Sequence, residues 1–180
     1  MSVSYREAIY AGSFDPPTNG HLYIIRRAAS LFSRVVIALG HNPGKQPAFS
    51  TEERLEMLWE LARGVGRHVE VAELGNRYLV HFAQERGCGV IVRGIRSFID
   101  YDFEHRMRHV NADIAEEVFS VFLMPPRELA EVSSSFVKGL IGPAGWEELV
   151  SKLVPAAVFA GLVRRYGSAG GGAGPVLERE

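Results

Sequence analysis

The sequence predicts a single doubly wound α/β domain, with five strands in one parallel sheet and helices on both of its faces. Two observations carry this prediction. Apolar, β-branched runs alternate with amphipathic segments, and the apolar runs are nearly continuous instead of alternating with polar residues. Strand–helix alternation is typical of parallel sheets, and a continuously apolar strand indicates burial on both faces. The architecture is therefore Rossmann-like, and its ligands are expected at the carboxyl ends of the strands.

Five apolar runs, most of them with glycine or proline close to their ends, are predicted as strands. They span residues 8–11, 35–39, 69–72, 90–92 and 118–124. The segments between and after them place apolar residues at helical spacing. These predicted helices span residues 21–32, 51–62, 78–86, 101–114 and 136–141, and a further helical segment is expected toward the C-terminus. Ser50 and Glu53 are spaced to form a capping box at the start of the second helix.

The composition of the chain changes once, near its end. Residues 167–180 read GSAGGGAGPVLERE, with five glycines in 14 residues. Such a segment buries too little apolar surface to offset its backbone entropy. The sequence therefore predicts one domain over residues 1–166, followed by a flexible tail over residues 167–180.

Composition and charge exclude several classes of protein. The 20 Lys and Arg residues against 21 Asp and Glu, a net charge of −1, exclude a broadly basic nucleic-acid or membrane binder. The single cysteine, Cys88, excludes an internal disulfide and a cysteine-based zinc cluster, and it favours a reducing compartment. No targeting segment is evident, and the longest apolar stretch, residues 154–163, is far shorter than the roughly 20 residues of a membrane span. We expect a cytoplasmic protein that binds neither nucleic acid nor membranes.

The first candidate site follows the first predicted strand. Residues 12–21 read GSFDPPTNGH and combine a glycine, two prolines, two hydroxyls and a histidine that opens a helix. One interpretation is a turn fixed by proline, with Thr18 or Asn19 capping the helix. The other is a phosphate site, because backbone N–H groups at a helix start attract phosphate and His21 can donate to it. The residue types alone leave both interpretations open.

Basic residues follow two further strands. Arg93 and Arg96 come after the fourth strand, where both guanidinium groups can point into one cleft and bind phosphate. Lys45 follows the second strand and can approach a phosphate as a mobile charge. The alternative is that the two arginines are solvated and pair with Asp100 or Glu104.

Two of these segments resemble the signatures of the nucleotidyltransferase superfamily, whose members transfer a nucleotidyl group from a nucleoside triphosphate and release pyrophosphate. The first is Ser13-Phe14-Asp15-Pro16 followed by Thr18-Asn19-Gly20-His21, which resembles the T/HxGH signature. The second is Val132-Ser133-Ser134-Ser135 just before a helix, which resembles the C-terminal signature. The two stand in the superfamily's order, each at a strand-to-helix junction.

A third region resembles one branch of that superfamily, the bacterial phosphopantetheine adenylyltransferases. Arg93, Arg96, Asp100 and Glu104 match its RGxR…DxxxE segment, and Lys45 with Phe49 and Glu52-Glu53-Arg54 matches its K…F…EER stretch. The resemblance covers about residues 8–163. The sequence departs from the pattern before the serines, where Leu129-Ala130-Glu131 stand in place of the family's common aromatic residues.

The resemblance implies that the phosphate of 4′-phosphopantetheine attacks the α-phosphorus of ATP in line, giving dephospho-coenzyme A and pyrophosphate without a covalent enzyme intermediate. It implies catalytic roles for His21, Lys45 and Arg93, and acceptor-binding roles for Ser13, Lys45, Leu79 and Arg93. It implies ATP-binding roles for Ser13, Phe14, His21, Gly94, Ile95, Arg96, Glu104, Leu129, Ala130, Glu131, Val132, Ser133, Ser134 and Ser135.

The resemblance also implies a homohexamer and feedback inhibition by coenzyme A. Mg²⁺ is expected to arrive with ATP and not to occupy a protein cage. His105 and His109 lie one helical turn apart, but no third ligand is evident, so no protein metal site is predicted. Two alternatives remain: a nicotinamide or nicotinate mononucleotide adenylyltransferase, and a non-catalytic module that senses nucleotide or coenzyme A.

Overall fold

A five-stranded parallel sheet forms the centre of the computed structural model, which describes residues 3–41, 44 and 46–167. Its strands are β1 (Ser4–Gly12), β2 (Arg34–Leu39), β3 (Val69–Glu73), β4 (Cys88–Gly94) and β5 (Phe119–Leu123). Their order in the sheet is β3-β2-β1-β4-β5, so the direction of winding reverses between β1 and β4. This arrangement confirms the predicted Rossmann-like fold and puts its switch point beside the two strands that precede the main motifs.

Seven helices surround the sheet in the part of the chain that the structure describes. They are α1 (Asn19–Leu31), α2 (Thr51–Val65), α3 (Leu79–Glu85), α4 (Phe98–Ile114), α5 (Ser134–Leu140), α6 (Trp146–Val150) and α7 (Ala156–Tyr166). A 3₁₀ turn, Arg127–Leu129, lies between β5 and α5. None of these helices is long and apolar enough to cross a membrane.

The apolar pattern locates the middle of each element better than its ends. The strand β1 begins at Ser4 and not at residue 8 as predicted, because none of its first four residues is buried and three of them are polar, so they carry no apolar signal. The helix α2 begins where predicted, with the Ser50 hydroxyl accepting from the Glu53 N–H at 3.2 Å and the Glu53 carboxylate accepting from the Ser50 N–H at 2.7 Å. The capping box is therefore confirmed.

Side chains alternate along β1 between the two covered faces of the sheet. Tyr10 faces the layer of α1 and α2, whereas Ile9 and Ala11 face the layer of α3. On β4, Val92 faces α1 while Ile91 faces α3. By the same alternation Gly94 lies on the α1 face and Arg93 on the α3 face.

A third apolar cluster joins α5, α6 and α7 to the outer side of α2, around buried residues that include Trp146 and Leu162. This packing fixes the C-terminal helical segment, and with it the serine motif, against the domain. Residues 168–180 lie outside the described residues, so the predicted tail and the domain boundary before it stay predictions.

Candidate active site

A cleft of about 530 Å³ lies at the carboxyl ends of β1 and β4, between the starts of α1, α4 and α5. Most of the residues that the sequence predicts as functional line it. They are Ser13, His21, Arg93, Gly94, Arg96, Glu104, Val132, Ser133, Ser134 and Ser135. The fold thus brings together three segments of the chain, the first and last of which are more than a hundred residues apart in sequence.

The remaining predicted site residues lie elsewhere, and the cleft does not include them. Phe14 and Ile95 are buried beneath its surface, and Leu79 packs at the start of α3 against the α3-side core. Leu129, Ala130 and Glu131 form the turn that leads to the serines, outside the cleft lining. Lys45 lies outside the described residues. The roles assigned to all six described residues, and to Lys45, stay predictions.

The start of α1 orients His21 through Thr18. The Thr18 hydroxyl accepts from the His21 N–H at 3.4 Å, while the Thr18 N–H donates to His21 Nδ1 at 3.0 Å. Because a backbone N–H can only donate, Nδ1 is an acceptor and the neutral imidazole carries its proton on Nε2. The cap interpretation is confirmed, because Thr18 caps the helix. The same contacts orient His21, which lines the cleft, and the phosphate site stays a prediction.

His21 is a neutral hydrogen-bond donor at physiological pH. Burial, and secondarily the positive charge of Arg96, lower the pKa of His21 to about 4. Its ring also stands edge-on to the buried ring of Phe14, with centroids 5.1 Å apart. The imidazole is thus held in one tautomer and one orientation before any ligand arrives.

Gly20 of the first motif is a packing contact between the two superfamily signatures. A Cβ atom at this position would lie 3.2 Å from the carbonyl oxygen of Val132. The absence of a side chain lets the segment before α5 approach the start of α1 closely. Consistent with this contact, the Ser134 hydroxyl donates to the carbonyl of Pro16 at 2.8 Å.

The three serines differ in the hydrogen bonds they already make. Ser133 caps α5, its hydroxyl accepting from the Phe136 N–H at 3.0 Å, and Ser134 is occupied by Pro16. The hydroxyl of Ser135 has no hydrogen-bond partner within the described residues, and it lines the cleft. Ser135 is therefore the serine whose side chain is most available to a ligand.

Asp15 is a structural hub that residue patterns did not reveal. Its carboxylate accepts from the backbone N–H groups of Ala48 and Phe49, both at 2.9 Å, and from the Lys138 ammonium at 2.8 Å. The Asp15 side chain is only 8% exposed, so these bonds are formed with little competition from water. The position of Asp15 inside the first motif indicated that this residue matters. Its partner Lys138 lies 123 residues away in α5, so the sequence around either residue does not indicate the pairing.

Arg54 supports the same loop from the side of α2. It is 3% exposed and donates to the carbonyl of Ser13 at 2.8 Å. The resemblance matched Arg54 as part of the EER stretch without assigning it a function. Its position shows that it braces the loop from within.

Arg93 near the end of β4 and Arg96 just after it each hold an acid of α4. Arg93 donates to Glu104 and, at 2.9 Å, to the carbonyl of Ala11. Arg96 holds Asp100 through two guanidinium contacts of 3.1 and 3.2 Å. The pairing alternative considered from the sequence is what the structure shows, yet both arginines also line the cleft. A bound anion would share or replace these carboxylates.

Comparison with known sequences identifies the family. A profile of cytidylyltransferase-like proteins matches residues 9–139. The phosphopantetheine adenylyltransferase of Neisseria meningitidis serogroup C is 50% identical over 161 residues, covering 89% of this chain and 94% of the relative. That of Chromobacterium violaceum is 47% identical over 162 residues, covering 89% of this chain and 98% of the relative. The chain belongs to the phosphopantetheine adenylyltransferase family.

The resemblance drawn from the motifs is thereby confirmed, and the chain is a nucleotidyltransferase. Solved structures of low sequence identity share the fold of this chain. The nicotinic acid mononucleotide adenylyltransferase of Plasmodium falciparum superposes with a TM-score of 0.66 at 13% identity, covering 88% of this chain and 95% of that one. TmcAL of Thermotoga maritima gives a TM-score of 0.61 at 14% identity, covering 93% of this chain and 56% of that one. At such low identity the likeness concerns the fold alone.

Proposed function

We propose that this chain transfers the adenylyl group of ATP to 4′-phosphopantetheine, giving dephospho-coenzyme A and pyrophosphate in coenzyme A biosynthesis. One observation carries the proposal. In a chain 50% identical to phosphopantetheine adenylyltransferases, a single cleft collects a neutral histidine, two arginines and a serine segment. Both substrates bear phosphates, and these side chains are suited to binding and orienting them.

The mechanism needs positioning and charge stabilisation more than proton transfer. The attacking phosphate of the acceptor is already an anion, so no general base is required. As the bond to the α-phosphorus forms, charge develops on the transferred group. His21 supports this step with its Nε2–H, which Thr18 and burial hold as a donor.

The acceptor phosphate is assigned to Arg93, together with Lys45 and Ser13. Arg93 reaches the cleft from the α3 face of the sheet, the same face against which Leu79 packs. That placement fits an acceptor whose phosphate meets Arg93 and whose pantetheine arm runs toward Leu79. Lys45 is assigned from the resemblance; it precedes Ala48 and Phe49, which Asp15 holds in place.

The nucleotide is assigned to the α1 face and to the segment that leads into α5. Ser13, Phe14 and the residues from Leu129 to Ser135 form this part of the proposal, with Ser135 offering an unengaged hydroxyl. Gly94, Ile95 and Arg96, at and just after the end of β4, complete the triphosphate side. Glu104, on α4, is assigned to the nucleoside.

Mg²⁺ is proposed to travel with ATP. Among the described residues, no group of three or more His, Cys, Asp or Glu side chains is placed to hold a metal ion, and Asp100 and Glu104 of the cleft are paired with arginines. Such a donor set fits an ion whose ligands are phosphate oxygens and water, with the serines holding the phosphates. When bound, the ion neutralises charge on the triphosphate.

A homohexamer, feedback inhibition by coenzyme A and a cytoplasmic location complete the proposal. Exposed apolar side chains of α4 support self-association: Phe98 is about four-fifths exposed and Val110 about half exposed, and neither lines the cleft. Sedimentation analysis should give the mass of six chains. Coenzyme A shares the pantetheine arm and adenylyl group of the product, so it should compete with both substrates.

The test is a pyrophosphate-release assay with ATP and a panel of acceptors. The proposal predicts release with 4′-phosphopantetheine and none with nicotinamide or nicotinate mononucleotide. Pyrophosphate release with a mononucleotide and not with 4′-phosphopantetheine would instead identify a nicotinamide or nicotinate mononucleotide adenylyltransferase. Binding of nucleotide and coenzyme A without release from any acceptor would instead indicate a sensing module.

A further inference from the structure

The hydroxyl of Tyr10 lacks a partner although its side chain is buried. Tyr10 lies near the end of β1 and is 6% exposed. Its hydroxyl makes no hydrogen bond with any of the described residues. Among those residues every fully buried polar side-chain atom has a partner, so the unpartnered hydroxyl is not fully buried and remains accessible from the cleft. Tyr10 also lines the cleft. A mostly buried polar group without a partner needs an explanation, and a ligand is one.

The surroundings keep this hydroxyl open to the cleft. Gly94 faces it across from β4: a Cβ atom on Gly94 would lie 3.8 Å from the Tyr10 hydroxyl and only 3.2 Å from Ile24. The missing side chain leaves space above the hydroxyl. The Tyr10 ring packs edge-on against Phe14, with centroids 5.6 Å apart, so the ring has little freedom to turn away.

Strand alternation favours the nucleotide as the partner of this hydroxyl. Tyr10 faces α1, on the side of His21. By alternation along β4 Gly94 faces the same way and Arg93 the opposite way, although the charges of both Arg93 and Arg96 act on Tyr10. Burial raises the pKa of Tyr10 to about 12, so the phenol keeps its proton and can donate. A phenol O–H on this side faces the part of the cleft to which the nucleotide is assigned.

We propose that the Tyr10 hydroxyl is a hydrogen-bond contact for the nucleotide, donating to an oxygen of its ribose–phosphate portion. This inference rests on the proposed function for the side of the cleft that ATP occupies. Tyr10 contacts the substrate and serves its binding, and its ring belongs to the core at the same time.

The test is Tyr10→Phe in the full chain, with Tyr23→Phe as a matched control. Tyr23 lies on α1, and its hydroxyl accepts from Arg27 at 3.1 Å away from the cleft. We expect Tyr10→Phe to weaken binding of a non-hydrolysable ATP analogue about tenfold and to raise the KM for ATP by the same factor. This is the effect of losing one hydrogen bond to a charged or polar ligand. The KM for 4′-phosphopantetheine and the urea midpoint of unfolding should not change, because the hydroxyl has no internal partner to lose. Tyr23→Phe should leave nucleotide affinity unchanged.

Three results would overturn the inference: unchanged affinity for the ATP analogue, an equal rise in both KM values, or a lowered unfolding midpoint that accounts for the lost affinity. Adenosine and the ATP analogue distinguish the contact within the nucleotide. Weaker binding of both assigns the ribose, and weaker binding of the ATP analogue alone assigns a phosphate. Because the readout is nucleotide affinity, a protein that binds ATP but rejects 4′-phosphopantetheine would contradict the proposed function and still test Tyr10.

Discussion

The two sides of the cleft differ in how their candidate phosphate-binding side chains are held and charged. On the α1 side, His21 is neutral and fixed by Thr18, and its surroundings are buried. On the α4 side, Arg93 and Arg96 carry full charges that Glu104 and Asp100 already neutralise. The first side is preorganised and needs no rearrangement, whereas the second must exchange carboxylates for substrate anions. From this difference we propose that the α1 side serves the chemical step and the α4 side captures the substrates.

The largest expected effect is on the preorganised side. His21→Ala should lower kcat by about two to three orders of magnitude, the typical cost of removing a preorganised donor to developing charge. Affinity for an ATP analogue should be partly kept, because the serine segment and Arg96 remain. Pyrophosphate release and analogue binding measure the two quantities separately. Unchanged turnover would remove His21 from the mechanism.

The next effect concerns the hub beneath that side. Asp15→Asn offers one acceptor oxygen where three donors now converge, and it leaves the Lys138 ammonium without its partner. We expect a loss of about 3 kcal/mol in the free energy of unfolding, as for a broken buried ion pair. Urea denaturation measures it.

The matched control for this hub is the double variant Asp15→Asn with Lys138→Met. It should recover part of the loss, because no unpaired charge remains in the interior. If Asp15→Asn alone were as stable as the original chain, the Asp15 carboxylate would not stabilise the fold as we propose.

The charged side should separate the two substrates. Arg93→Ala should raise the KM for 4′-phosphopantetheine about tenfold with a smaller change for ATP, and Arg96→Ala should do the reverse, since each loses a charge-assisted hydrogen bond. Steady-state kinetics with each substrate varied in turn gives both constants. Equal changes in both KM values for both variants would show that the arginines do not divide the substrates.

The smallest effect follows from the lowered pKa of His21. The native protein releases the proton of His21 near pH 4, whereas an unfolded histidine does so near pH 6.5, so the unfolded state binds more protons between these values. This contribution to stability is fully present above about pH 6.5 and is lost as the pH falls toward 4. Between pH 7 and pH 5 the free energy of unfolding of the original chain should fall by about 1–2 kcal/mol more than that of the His21→Gln variant, whose residue 21 cannot titrate. Urea unfolding at both pH values measures this loss, and the same pH dependence in both proteins would refute a neutral imidazole at His21.

Most of the fold and part of the cleft could be predicted because their signals are local. Continuous apolar runs identified the five strands, and the motifs fell at their carboxyl ends, where a parallel sheet gathers them. The Asp15–Lys138 pair could not be predicted, because folding brings together residues 123 positions apart. Tyr10 looked like an ordinary residue of a buried strand, and the space beside its hydroxyl depends on Gly94, which lies on another strand. The tautomer of His21 likewise depends on a backbone donor that residue patterns do not specify.

Adenylyl transfer is tested by following labelled phosphorus through one turnover with ATP and 4′-phosphopantetheine. We expect label in the α-phosphate of ATP to appear in dephospho-coenzyme A, label in the γ-phosphate to appear in pyrophosphate, and none to remain attached to the protein. Label from the γ-phosphate in the acceptor or in inorganic phosphate would contradict adenylyl transfer. Label from the α-phosphate retained on the protein would contradict direct in-line attack.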